Sequence, residues 1–172
     1  MLFWWLIPVI LHFGQVIWLT SLTTIKFTCE LLDRWDGLSA SIGAKAAAPD
    51  RPVICFTGDG GFSYHTPELE TAKRMGLNVI VIVNNNECLS QGVKNLNIAY
   101  EGRGEGRKSE CYVYEPTDFA RIAQAYGCFG ITVEKPEDFA GAFADAMNSG
   151  LPAVIDVKTE FAYQAQLAWL PT

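Results

Sequence analysis

Two apolar runs organise the chain. Pro52-Val53-Ile54-Cys55-Phe56 and Asn78-Val79-Ile80-Val81-Ile82-Val83 carry β-branched or apolar residues at successive positions, the pattern of central strands buried on both faces of a parallel sheet. Between them, Thr66 to Gly76 reads as a helix. Thr66 is its expected N-cap, Pro67 fits the first helical position, and Gly76 supplies the left-handed residue that ends it. The unit is βαβ, and its right-handed crossover brings both strand ends to one edge of the sheet. Further on, Thr117 is expected to cap a helix to Tyr126 that Gly127 ends, and Phe129 to Val133 reads as a strand. Pro136 opens a helix through Met147 that stops at Gly150, before a last strand from Ala153 to Val157. Strands and helices alternating through short loops predict an α/β fold, doubly wound, with a mostly parallel sheet and helices on both faces.

The pattern changes character in three places. Met1 to Ile25 holds no Lys, Arg, Asp or Glu and is long enough to cross a bilayer. It lacks the basic n-region of a signal peptide, and the charges that follow, Lys26, Glu30, Asp33 and Arg34, are mixed in sign and set no orientation. Three readings stay open for it: a truncated or mis-started reading frame, a membrane segment, and a helix packed on the domain. Gln91 to Glu110, with alternating charge and glycine from Glu101 to Lys108, reads as a solvated loop. Gln164 to Pro171 has too little pattern to assign. The expected division is an apolar segment over 1–35, a folded domain over 36–160 and a tail over 161–172.

Candidate chemistry lies at the two strand ends. Thr57-Gly58-Asp59-Gly60-Gly61-Phe62 follows the first run and Asn84-Asn85-Asn86 the second. One carboxylate and one carboxamide on one sheet edge, with glycines beside the carboxylate, suit a divalent cation and a diphosphate. Mg²⁺ takes hard oxygens in near-octahedral geometry and shares them among protein, phosphate and water. Asp59 offers a carboxylate oxygen, Asn86 a side-chain carbonyl, and Cys88 a backbone carbonyl. Gly58, Gly60 and Gly61 let the backbone approach a diphosphate without a Cβ, and the next helix start adds a favourable dipole. His65 either faces this edge or is an ordinary loop histidine.

Composition narrows the partners. A formal net charge of −6 argues against nucleic acid, whose phosphates select basic faces. Cys29, Cys55, Cys88, Cys111 and Cys128 form no CxxC pair, which suggests reduced thiols and a cytoplasmic setting. Anchoring to a membrane through residues 1–25 is the alternative.

Gly58-Asp59-Gly60, followed by Asn85-Asn86 with 27 positions from Asp59 to Asn86, resembles the thiamine-diphosphate motif of acetolactate synthase and related 2-oxoacid decarboxylases and carboligases. The resemblance runs from about Gly37 past Pro152. Gly37 to Ala46 is similar to the family's small-residue helix, Pro49-Asp50-Arg51-Pro52 to its entry into the strand, Asp118 to Gly127 to a later helix, and Gly150 to Val157 to its last strand.

The resemblance implies thiamine diphosphate and Mg²⁺ as cofactors. Asp59, Asn86 and the Cys88 backbone oxygen are then the metal ligands, and Gly58, Asp59, Gly60, Gly61, Phe62, His65, Asn86 and Cys88 the cofactor contacts. It implies decarboxylation and carboligation of 2-oxoacids, with the cofactor ring as electron sink. Family members also carry a pyrimidine-binding domain whose glutamate protonates the aminopyrimidine. No residue here takes that role, since Glu68 and Glu70 read as helix-start charges, so that domain is expected on another chain, in a homo- or hetero-oligomer. Where the family has a glycine-rich loop that bends the cofactor, this chain has Asp33-Arg34-Trp35-Asp36. By the resemblance the stretch after Asn86 caps the active site. A remnant that holds Mg²⁺ and diphosphate without turnover, or a small subunit of a split 2-oxoacid decarboxylase, is the alternative function.

Overall fold

The computed structural model describes residues 36–101 and 107–160. The apolar segment, most of Asp33 to Asp36, and the tail from residue 161 therefore lie outside the described residues, as does the centre of the glycine-rich stretch. In chain order the elements are α1 (Gly37–Ala47), β1 (Val53–Gly58), α2 (Asp59–His65), α3 (Glu68–Arg74), β2 (Val79–Asn85), α4 (Ser90–Ala99), α5 (Phe119–Ala125), β3 (Phe129–Val133), α6 (Phe139–Asn148) and β4 (Ala153–Lys158), with short 3₁₀ turns at Arg107–Cys111 and Pro136–Asp138.

The strands form one sheet in the order β1-β2-β4-β3, and every neighbouring pair is parallel. Alternation along β2 divides the core in two. Val79, Val81 and Val83 face one layer with Leu38 and Ile42 of α1, Phe62 of α2, Leu69 and Ala72 of α3, and Phe119 and Ala123 of α5. Ile80 and Ile82 face the other, where Ala142 and Ala146 of α6 close over Ile155 and Val133. Helices on both faces of a parallel sheet make the doubly wound α/β fold that the pattern predicts.

The departures are local. The strands run two residues further than the apolar runs, so Gly58 and Asn84-Asn85 belong to them and Asp59 starts a helix at once. The helix expected over Thr66 to Gly76 is α3, with α2 as a further helix before it. Pro67 rather than Thr66 is the N-cap of α3, and Thr66 closes the end of α2 as its C-cap, its hydroxyl donating to the Phe62 and Ser63 carbonyls. Likewise Asp118 rather than Thr117 caps α5, its carboxylate accepting from Arg121 N–H at 2.9 Å. The stretch read as a loop from Gln91 begins with α4. Its Gly and Asn content hides a helix whose Ile98 is left 66% exposed, so no apolar stripe marks it. Gly76, Gly127 and Gly150 do end their helices at positive φ.

Candidate functional site

Asp59 sits where β1 turns directly into α2 and is only 4% exposed. Its Oδ1 accepts from the Gly60 N–H at 2.7 Å and its Oδ2 from the Cys88 N–H at 3.1 Å. Burial pushes the carboxyl above the ordinary carboxylate range, while backbone donors, Gly60 and Cys88 foremost, pull it back. No Lys, Arg or His among the described residues pairs with this carboxylate.

The second strand end reaches Asp59 through a tight turn. Asn85 is buried at the end of β2, and Glu87 follows with φ of 55°. Leu89, at φ −74° and ψ 68°, makes an inverse γ-turn in which Ser90 N–H donates to the Cys88 carbonyl at 2.8 Å. Ser90 Oγ donates to the same carbonyl at 3.3 Å and accepts from Asn86 Nδ2 at 2.8 Å. Asp59, Asn86 and Cys88 are thus brought together.

An open cavity of about 420 Å³ lies at this edge, walled by Asp59, Gly60, Asn85, Glu87, Tyr114 and Glu115 among others. Tyr114 arrives from far along the chain. Cys88 and Val113 form an antiparallel bridge, with Leu89 N–H donating to the Tyr112 carbonyl and Tyr114 N–H to that of Glu87. Burial, and then the nearby Asp59 charge, hold the Tyr114 phenol above its usual range, so it stays protonated. Neither Tyr114 nor the cavity-lining Thr117 and Phe119 carries any local sequence signal for this place, because long-range pairing puts them there.

A second network supports the floor. Asp156 on β4 is fully buried; its Oδ1 accepts from Asn85 Nδ2 at 2.9 Å and its Oδ2 from Phe119 N–H at 3.1 Å. Lys158 Nζ pairs with Asp156 Oδ2 at 2.9 Å and donates to the Thr117 carbonyl. This one carboxylate ties β2, β4 and the start of α5 together.

Two expected contacts, Phe62 and His65, fall differently. Phe62 is 1% exposed and packs edge-on against Phe119, with ring centroids 5.3 Å apart, so it is a core residue. His65 turns toward the start of α1, its Nε2 3.5 Å from Asp36 Oδ1 and its Nδ1 3.4 Å from Ser39 Oγ. It does not line the cavity. Gly60 does, but a Cβ there would meet Tyr114 Oη at 2.9 Å and Leu89 Cδ1 at 3.0 Å, so its small size serves the packing of those side chains. Beside it, a Cβ on Gly58 would meet nothing within 4 Å, and Gly61 is half-buried.

The described residues contain no group of three or more His, Cys, Asp or Glu side chains able to hold a metal. A cation here would draw on the buried Asp59 carboxylate, a carboxamide and backbone oxygen, a donor set suited to a hard ion that takes the rest of its shell from phosphate and water. On that chemistry the residues fit Mg²⁺ with a diphosphate. Nor is any helix among the described residues long and apolar enough to cross a membrane.

Fold and site together define a doubly wound α/β domain whose polar crevice opens at the carboxyl ends of parallel strands. Residues 36–157 match the family model described as thiamine pyrophosphate enzyme, C-terminal TPP binding domain. The chain belongs to this family. It is similar to the Bacillus subtilis protein YdaP, with 36% identity over 121 residues, covering 70% of this chain and 20% of that protein. It is also similar to the acetolactate synthase isozyme 3 large subunit of Escherichia coli, with 35% identity over 111 residues, covering 64% of this chain and 19% of the relative. Among solved structures it matches the thiamine diphosphate-dependent 4-hydroxybenzoylformate decarboxylase of Rhodococcus jostii, with a TM-score of 0.63 and 33% identity over 73% of this chain and 23% of that one. The match therefore spans about a fifth of the length of these relatives.

Proposed function

We propose that this domain binds the diphosphate end of thiamine diphosphate through Mg²⁺ and serves an acetolactate-synthase-like enzyme acting on 2-oxoacids. Asp59 carries the proposal: it is a buried carboxylate ringed by backbone donors, with no cationic side chain among the described residues to balance it. Asp59 and Asn86 would hold the cation by side-chain oxygens and Cys88 by its carbonyl, whose two Ser90 donors reach it from a single residue. The backbone of Gly58, Gly60 and Gly61 would take the diphosphate. When bound, the cofactor supplies an electron sink for decarboxylation or carboligation. Asp59 anchors, Asn85 and Asp156 brace the strand end, and the protonated Tyr114 closes the wall above Gly60.

The substrate class rests on the acetolactate synthases among the relatives and on the structural match, whose named substrate is a 2-oxoacid. Turnover in this reading needs a pyrimidine-binding domain with a catalytic glutamate beside this site, and a cytoplasmic setting. Calorimetric titration of thiamine diphosphate with Mg²⁺ tests the site. Binding by the wild type and its loss in Asp59→Ala is the expected result; equal binding by both would remove the ligand assignment. If binding holds but no added pyrimidine-binding domain restores turnover, the non-catalytic remnant becomes the better description.

A further inference from the structure

Ser90 opens α4, yet among the described residues its hydroxyl makes no bond to that helix. Its partners lie behind it: the Cys88 carbonyl at 3.3 Å, the Asn86 carboxamide at 2.8 Å and the Cys88 thiol. Proton accounting fixes which way each group points. The Asn86 N–H only donates and the Cys88 carbonyl only accepts, so the single hydroxyl proton goes to Cys88, to its carbonyl or its sulfur. The hydroxyl oxygen must then accept from Asn86, which turns the Asn86 Nδ2 toward Ser90 and its Oδ1 away. No donor among the described residues reaches that Oδ1.

From this we infer that Ser90 is a positioning residue for the cation site: it selects the carboxamide orientation in which Asn86 presents oxygen, not nitrogen, to a divalent ion. The inference rests on the proposed assignment of Asn86 as a ligand. A flipped amide would offer an NH₂ group to the cation, which repels it. Partners that orient a metal's direct ligands commonly carry tenfold or more in affinity. The arrangement is compact: the residue that locks the Cys88 turn also sets the face of Asn86.

Binding of Mn²⁺ to the full chain in the presence of thiamine diphosphate, followed by electron paramagnetic resonance, tests this without recourse to turnover. Ser90→Ala is expected to weaken Mn²⁺ by about tenfold, and Ser90→Thr, which keeps the hydroxyl, to bind close to wild type. The decisive comparison uses Asn86→Asp, whose side chain offers oxygen in either orientation. In that background Ser90→Ala should cost little, because nothing remains to be oriented. An equal loss in both backgrounds would assign Ser90 to the turn alone and overturn the inference, as would wild-type affinity in Ser90→Ala. Asp59→Ala separates the two levels. If it binds Mn²⁺ like wild type, the cation site itself is misplaced and Ser90 falls with it; if it loses the ion while Ser90→Ala keeps it, only the role of Ser90 fails.

Discussion

Asp59 concentrates the electrostatic cost of the site. Burial raises its carboxyl, with backbone donors opposing, so between the unfolded and folded pKa values the native state holds more protons than the unfolded chain. Stability from this group is then full in acid and is lost as pH rises through the folded value. Without a divalent cation, the unfolding free energy of wild type relative to Asp59→Ala should fall from about pH 4 upward, by up to about 1.4 kcal/mol for each unit by which the pKa is raised. With Mg²⁺ and thiamine diphosphate the sign should reverse, since a cation favours the ionised form. Urea unfolding at a series of pH values reads both slopes, and a flat difference in each would deny Asp59 this role. Its neighbour Gly60 makes a milder prediction. A Cβ there presses on the ends of two movable side chains, Tyr114 and Leu89, so Gly60→Ala should cost about 1–3 kcal/mol. Tyr114→Phe in the same chain, which removes the atom approached most closely, should recover part of it by thermal melting.

At the scale of elements, close contacts and buried charge take over from pattern. An added Cβ at Gly130 on β3 would run into the backbone carbonyl of Ala120 on α5, and backbone cannot swing aside as a tyrosine can. Gly130→Ala should therefore cost more than Gly60→Ala, on the order of 3 kcal/mol or more, with loss of the cooperative melt as the extreme outcome. Asp156→Ala should be as severe, about 3–5 kcal/mol, because it removes the buried counter-charge of Lys158 and the partner of the Phe119 N–H, and leaves Asn85 Nδ2 only the Thr117 carbonyl. Chemical denaturation of the pair against wild type ranks these effects. Both positions show where sequence reading ends. The β-branched runs declare β1 and β2, and the glycines after α3, α5 and α6 declare their ends, because those signals are local. The place of Asp156 beside Asn85, 71 positions earlier, depends on β4 inserting between β2 and β3, which no local pattern encodes. The same holds for Tyr114, carried to the site by its pairing with Glu87. Phe62 and His65 were drawn to the site by nearness along the chain; α2 turns Phe62 into the core and leaves His65 beside α1.

Over the whole molecule, charge decides how the proposed ligand can enter. The chain carries a formal net charge of −6, and Asp59, Glu87 and Glu115 all line the cavity. A diphosphate approaching three carboxylates in a partly desolvated crevice is repelled unless a cation arrives with it. Binding of thiamine diphosphate should consequently be linked to Mg²⁺, with affinity at least about tenfold weaker in chelator, a difference of about 1.4 kcal/mol. Linkage is reciprocal, so thiamine diphosphate should tighten Mg²⁺ by the same factor. Thiamine, which has no phosphate, should show no such coupling. Titrating each ligand with and without the other measures the factor from both directions. Equal affinities in Mg²⁺ and in chelator would mean that the acidic wall is not what the diphosphate meets, and would move the cofactor away from Asp59.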